Sequence, residues 1–359
     1  MEKLGLALFF GGMSSEHDVS CVSAATVAGV LDSEKYDVTY IGITKEGKWL
    51  LVEDVNTIAD RSWENGNVSA ILTPDTSHTL VIKKVSENGE ASFEERKVDI
   101  AFPMLHGLFG EDGTIQGLFE MAHIPYVGCG HLASAITMDK FFTKVIADSI
   151  GVAQADYVGV RSYETADSYI DETVKRVESK REYPMFIKPS CAGSSVGITK
   201  AHDREELIKG LKLAAQHDSK ILVEESIDGR EIECAVFGYG DNTYATGVGE
   251  IVAAAEFYDF DAKYNNADSL TVVDPDIPEN KREEIRKKAV EIYRACDGFG
   301  FSRVDFFLER GTDRVVFNEI NTIPGHTAIS MYPMLMEKAG HTMKEYVEEL
   351  IQMAFQRHA

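Results

Sequence analysis

Residues 301–330, FSRVDFFLERGTDRVVFNEINTIPGHTAIS, constrain the fold more than any other stretch. Two apolar runs flank Gly311, Thr312 and Asp313, the signature of a β-hairpin with a short loop. Centring the hairpin on Thr312 sets Asp305 opposite Glu319 and Arg303 opposite Asn321. Residues opposite one another across an antiparallel pair project from one face, as do residues two apart along a strand. Arg303, Asp305, Glu319 and Asn321 are therefore expected to form one polar cluster. Val304, Phe306, Leu308, Val316 and Ile320 are expected to face the other way into a core. A one-residue slip would scatter the cluster, so the expectation is a claim about register.

Two acids and an amide on one sheet face need a partner. One solution is Mg²⁺, a hard cation that takes one or two carboxylates and fills its other positions with water and phosphate oxygens. The other is a structural network in which Arg303 pairs with both acids. The turn-rich exit at 321–327 bears on a ligand, because Gly325 lets a backbone N–H approach one closely.

Composition excludes some partners. The formal net charge of -23 leaves no evident basic surface to neutralise phosphates, so no nucleic-acid partner is expected. Five widely spaced cysteines with no C-x-x-C fit a reducing cytosol better than a disulfide framework or a zinc site. Residues 4–10 are apolar but too short for a membrane span and lack a cleavage-site pattern, so no membrane association is expected.

Residues 4–10 read as a buried strand, 11–15 as a tight turn, 16–31 as a helix and 36–43 as the next strand. This βαβ opening predicts a parallel sheet with its ligand end at the turn that carries Glu16. Glu16 is either a first-turn acid beside the helix dipole or the holder of a substrate ammonium. There is neither a G-x-G-x-x-G nor a G-K-[ST] motif. Residues 98–102 read as a strand leading into a glycine-laden loop with His106, followed by a helix at 115–122. A second unit holds strands at 182–189, 198–200 and 220–225, with the glycine-serine loop 190–197 between the first two. Small residues there let backbone N–H groups close over phosphates, toward which Lys188 supplies a point charge. Glu224, Glu225 and Glu231 either bind adenine and ribose or are solvated. Residues 256–266, EFYDFDAKYNN, read as a lid loop. A helix at 281–297 and a largely helical tail complete the chain.

Six motifs stand in this order across nearly the whole chain: GGMSSEHDVS, PMLHGLFGEDGTIQG, FIKPSCAGSSVGI, EFYDFDAKY, SRVDFF and NEINTIPGHT. The set resembles the D-alanine:D-alanine ligases of the ATP-grasp superfamily. The resemblance implies an α/β chain with an ATP-grasp fold and an N-terminal parallel-sheet domain, divided at 1–132, 133–213 and 214–359. It implies a cytoplasmic homodimer that joins two D-alanine molecules at the expense of ATP, through a D-alanyl phosphate, for peptidoglycan precursors and cell shape. By motif, Asp305, Glu319 and Asn321 match ligands of Mg²⁺ or Mn²⁺. Arg303 and the backbone of Gly325 match the stabilisers of a tetrahedral intermediate. Lys140, Lys188, Ser195 and Lys263 match ATP contacts, and Glu224, Glu225, Ile227 and Glu231 match an adenine and ribose clasp. Glu16, Ser194 and Tyr264 match a hydrogen-bonded triad at the first substrate, while His106, Ser330 and Met331 match substrate contacts.

Three positions depart from the family pattern. Cys191-Ala192 replaces a basic-acidic pair, Glu225-Ser226 replaces a lysine and an aromatic residue, and Ile329 replaces a frequent histidine or tyrosine. Glu225 is therefore expected to act through its backbone only. The pair Lys263-Tyr264 and the apolar Met331 point to D-alanine as second substrate. The alternative is a D-alanine:D-serine or D-lactate ligase of the vancomycin-resistance type.

Overall fold

The computed structural model of the chain describes residues 3–191, 193, 196–252 and 270–358. The first part of the chain forms β1 (Leu4–Gly11), β2 (Tyr36–Ile43), β3 (Trp49–Val52), β4 (Ser69–Leu72), β5 (Thr79–Val85), β6 (Ala91–Lys97) and β7 (Ile100–Met104). They make one sheet in the order β6-β5-β4-β3-β2-β1-β7. Only β2, β1 and β7 run parallel. From β3 to β6 the pairing is antiparallel, so the parallel sheet expected from the βαβ opening is the inner part of a mixed one. The strand expected at 98–102 lies two residues further on, at Ile100–Met104.

β1 is buried on both faces, as its near-continuous apolar run requires. Ala7 and Phe9 face Ile115 and Phe119 of the helix Thr114–Met121. Leu6, Leu8 and Phe10 face Cys21, Ala24 and Val27 of the helix His17–Ala28. That second core continues into Phe301, Tyr332, Leu335, Tyr346 and Leu350. The C-terminal helices Met331–Lys338 and Met343–Arg357 thus belong to the same apolar mass as the first sheet.

The second sheet has the order β10-β9-β11-β8, from β8 (Tyr157–Arg161), β9 (Met185–Pro189), β10 (Thr199–Ala201) and β11 (Lys220–Glu225). Val174 and Leu207 of the helices Ile170–Glu178 and Arg204–Ala214 cover one face of it. The third sheet comprises β12 (Gly229–Gly238), β13 (Tyr244–Val252), β14 (Leu270–Val273), β15 (Gly300–Glu309) and β16 (Val315–Asn321), in the order β14-β13-β12-β15-β16. Its core face packs on Ile285, Ala289 and Ile292 of the helix Glu279–Ala295. The backbone N–H of Phe317 in β16 donates to the carbonyl of Ala153 at 2.8 Å, tying the hairpin to the segment that leads into β8. All five cysteines are free and four of them are buried, as expected of packing residues.

Candidate active site

The hairpin β15–β16 pairs Arg303 with Asn321, Val304 with Ile320 and Asp305 with Glu319, as the count from Thr312 requires. Beyond Asp305 the register shifts, and Phe306 pairs with Phe317 and Leu308 with Val315. Asn318 is the extra residue of a β-bulge. One expectation is corrected by it: Val315 and Phe317, not Val316, share the core with Val304, Phe306, Leu308 and Ile320. Val316 pairs with Phe307 and so lies on the same side of the sheet as Asp305.

The polar cluster is assembled on that side. Arg303 donates from Nε and Nη2 to the two oxygens of Asp305 at 2.8 and 2.7 Å. Its Nε also lies 3.2 Å from Oε2 of Glu233, which β12 sets opposite Asp305. Burial favours a neutral guanidinium, but Asp305 and Glu233 outweigh it and hold the Arg303 pKa well above its ordinary value. Asn321 donates from Nδ2 to Asp305 at 3.0 Å. Glu319 turns instead to Lys140, 3.3 Å from its Oε2. Both earlier arrangements draw on these contacts, because Arg303 neutralises Asp305 while Glu319 remains at the open side.

The donor set fits a hard cation. Asn321 spends its amide N–H on Asp305, which leaves its carbonyl oxygen as a donor beside two carboxylates. Among the described residues no group of three or more His, Cys, Asp and Glu side chains gathers as a metal site. A cation here would therefore rest on these three side chains and on oxygens from water or phosphate.

On the side of the second sheet, Glu224 of β11 is 4% exposed and lies between two ammonium groups. Lys188 of β9 is 2.7 Å from Oε2, and Lys144 of the helix Lys140–Ser149 is 3.0 Å from Oε1. Burial pushes the Glu224 carboxyl up, but Lys144 and Lys188 overcome it and hold its pKa at about 2. Lys188 also reaches Oδ1 of Asn318 at 3.5 Å. Glu225 accepts from the backbone N–H of Asp156 and from Arg314, so its side chain is committed to the protein. Ile227 and Glu231 are half-buried, Ile227 in the link from β11 to β12 and Glu231 in β12. The helix Lys140–Ser149 is fixed by its cap: Asp139 accepts from the N–H of Phe141 at 3.1 Å and from the Ser190 hydroxyl at 2.6 Å. Ser194, Ser195, Lys263, Tyr264 and the lid expected at 256–266 lie outside the described residues.

On the side of the first sheet, Gly11 has φ +82, and a Cβ there would meet the Ile43 carbonyl at 2.3 Å. This glycine lets the chain turn from β1 towards Glu16. The Glu16 side chain does not cap its own helix. Its Oε2 lies where Cβ atoms on Gly107 and Gly193 would come within 2.6 and 2.8 Å. Glu16, Glu111, Lys140, Glu319 and Asn321 line one cleft. Of the predicted residues, the structure therefore brings four together there.

His106 donates from Nδ1 to the Ile323 carbonyl at 2.8 Å. Its Nε2 is then an acceptor, and the Ser23 hydroxyl donates to it at 3.0 Å. The same Ser23 oxygen accepts the backbone N–H of His326 at 3.0 Å. His106 and Ser23 thus anchor the exit loop of the hairpin. Within that loop, Ser330 Oγ accepts from the N–H of Thr327 at 3.0 Å, and a Cβ on Gly325 would lie 2.8 Å from it. Met331 is buried with its sulfur over Gly249, inside the core rather than at the cleft, while Ile329 is exposed.

Four residues at or behind the site received no role from the sequence: Glu111, Glu233, Lys144 and Ser23. Glu111 accepts from the N–H of Gly107 at 2.9 Å and of Ile323 at 2.8 Å, tying the glycine loop to the hairpin exit. Burial, reinforced by the charge of Glu16, pushes its pKa up to about 7 against the pull of those N–H groups. Its place in GLFGEDG was the only available signal.

A family model described as the D-ala D-ala ligase N-terminus matches residues 5–129, and one described as the C-terminus matches residues 146–352. A D-alanine--D-alanine ligase of Acetivibrio thermocellus is 45% identical over 371 residues, covering 99% of this chain and 97% of that protein. One from Caldicellulosiruptor bescii is also 45% identical and covers 100% of this chain and 97% of its own. Among solved structures, the VanG D-Ala:D-Ser ligase of Enterococcus faecalis matches with a TM-score of 0.86 at 35% identity, over 98% of this chain and 100% of that one. The D-alanine-D-alanine ligase of Coxiella burnetii matches with a TM-score of 0.81 at 30% identity, over 100% and 95%.

Proposed function

From its membership of the D-alanine:D-alanine ligase family, to which the chain belongs, we infer that it joins two D-alanine molecules into D-alanyl-D-alanine with conversion of ATP to ADP and phosphate. The chain is an ADP-forming ligase of the ATP-grasp fold, and its dipeptide is a peptidoglycan precursor. The observation that carries the site assignment is the register at Asp305 and Glu319. It sets two carboxylates on one sheet face, and one of them, Glu319, reaches a cleft that Glu16 lines from the first sheet and Lys140 from the helix beside the second.

In this reading Glu16 receives the ammonium of the first D-alanine. A carboxylate oxygen of that substrate attacks the γ-phosphorus of ATP, the bond to the bridging oxygen breaks, and ADP leaves with its electron pair. Lys140 and Lys188 bind the phosphates and hold them in line, and positioning of this kind is most of what phosphoryl transfer asks of a protein. Asp305, Glu319 and Asn321 would hold Mg²⁺ or Mn²⁺, and that cation supplies charge neutralisation to phosphate oxygens when bound. The amine of the second D-alanine then attacks the acyl carbon, a proton leaves the nitrogen, and phosphate departs. Arg303 and the Gly325 N–H face the oxyanion of that step. Arg303 is prepared for this, because its charge is fixed by Asp305 and Glu233 before any substrate arrives. Glu224 accepts from the adenine amino group, and the backbone of residues 225–227 completes the clasp. We place the reaction in the cytoplasm and in a homodimer, with 1–132, 133–213 and 214–359 as its working parts. No helix among the described residues is long and apolar enough to cross a membrane.

Phosphate release on mixing the protein with ATP, Mg²⁺ and D-alanine tests the activity. Release should depend on all three, and release without D-alanine would make the chain an ATPase instead.

A further inference from the structure

Among the described residues, Lys144 meets the proposed nucleotide site at Glu224. It stands one turn after Lys140 and is 2% exposed. Its ammonium is held by Glu224 Oε1 at 3.0 Å and the Ala155 carbonyl at 3.2 Å, with the Tyr157 ring centroid at 5.4 Å. Lys188 differs: it shares the other oxygen of Glu224 and extends toward Asn318 at the bulge. One carboxylate therefore carries two ammonium groups, one on a side chain 3% exposed and the other on one 13% exposed.

We propose that Lys144 is a positioning residue for purine selection, holding Glu224 in place as an acceptor-only carboxylate when Lys188 engages the phosphates of ATP. The proposal rests on the reading of Glu224 as the adenine contact. An ionised carboxylate accepts hydrogen bonds and donates none. It suits the 6-amino group of adenine and opposes the 6-oxo group of guanine. Once phosphates draw Lys188 away, a carboxylate this deeply buried stays ionised only if another cation remains beside it. Lys144 is that cation. Without it Glu224 takes up a proton, becomes a donor and loses its preference.

Steady-state kinetics of the full chain with ATP and with GTP, at saturating D-alanine, test this in four proteins: wild type, Lys144→Met, Glu224→Gln and the double variant. Lys144→Met should raise KM for ATP about tenfold, with kcat changed less than about threefold, and should narrow the preference for ATP over GTP about tenfold. Added to Glu224→Gln, it should alter neither quantity more than about twofold, because its partner's charge is already gone. The double variant removes the Lys144 charge together with its carboxylate partner and leaves Lys188 its contact with Asn318. If Lys144→Met alone does not fold, the comparison of the double variant with Glu224→Gln decides. An unchanged nucleotide preference in Lys144→Met, or an equal penalty in both backgrounds, overturns the proposal. If Glu224→Gln itself leaves KM for ATP and the preference unchanged, the adenine assignment falls, and the proposal with it.

Discussion

Replacing Glu111 with Gln should change how stability depends on pH. The carboxyl is buried beside Glu16, and burial first, then that neighbouring charge, raises its pKa from 4.5 to about 7. Between those values the folded chain keeps a proton that the unfolded chain has released. Stability therefore falls as pH rises, since the folded state is the one binding more protons. The contribution is fully present below 4.5 and is lost by the time pH has passed 7. At about 1.4 kcal/mol per pH unit, the window amounts to about 3 kcal/mol. Gln cannot titrate, so the difference between wild type and Glu111→Gln isolates this group from every other carboxylate. Urea unfolding of both proteins at pH 5 and at pH 8 measures it. The expected result is a shift of about 3 kcal/mol against wild type, relative to the variant, on going to the higher pH. A difference that stays constant, or moves in favour of wild type, would refute the reasoning and return Glu111 to an ordinary ionised carboxylate held by two N–H groups.

Glu319→Gln and Asp305→Asn should each lower turnover by about a hundredfold or more while the far-UV circular dichroism is unchanged, since charge and not core volume is removed; near-normal turnover in both would take the hairpin out of the mechanism. Glu16→Gln should raise KM for D-alanine at the first site well beyond any change in KM for ATP, and equal changes would leave Glu16 as a helix-start acid. Ser23→Ala removes the hydroxyl that serves His106 and the His326 N–H, and should cost about 1–3 kcal/mol in urea unfolding, an unaltered midpoint being the contrary result. In equal mixtures, D-alanine should outcompete D-serine and then D-lactate as second substrate, read as product composition; a majority of mixed product would reassign specificity and leave the ligase reaction standing.

The hairpin cluster was legible because strand alternation and a turn suffice to decide which residues share a face. The count from Thr312 holds at Asp305 and Arg303 and fails nearer the turn, where the bulge at Asn318 moves Val316 out of the predicted core. No local pattern announces a bulge. The β3–β6 extension was missed for a different reason. All but one residue of β6 are exposed, so no apolar face marks it as a strand. Lys144 and Glu233 read as surface charges in a sequence. Their burial depends on partners that lie 80 and 70 residues away, Glu224 and Arg303, and no spacing rule connects them. The motifs singled out Glu16, Lys188 and the hairpin acids, yet carried no information about what surrounds them.

Asn318 makes the hairpin a spliced ladder. Phe317 faces the core and Glu319 faces the cleft, which is the alternation two adjacent strand residues would show if Asn318 were absent. Cutting it out would close the ladder with Glu319 still opposite Asp305. The extra residue thus sits in the strand as an attachment, adding a side-chain amide beside Lys188 without spending a position of the pleat. A strand built this way separates two kinds of information. Its alternation carries the architecture, and its insertion carries a tool, so either can be edited while the other is kept.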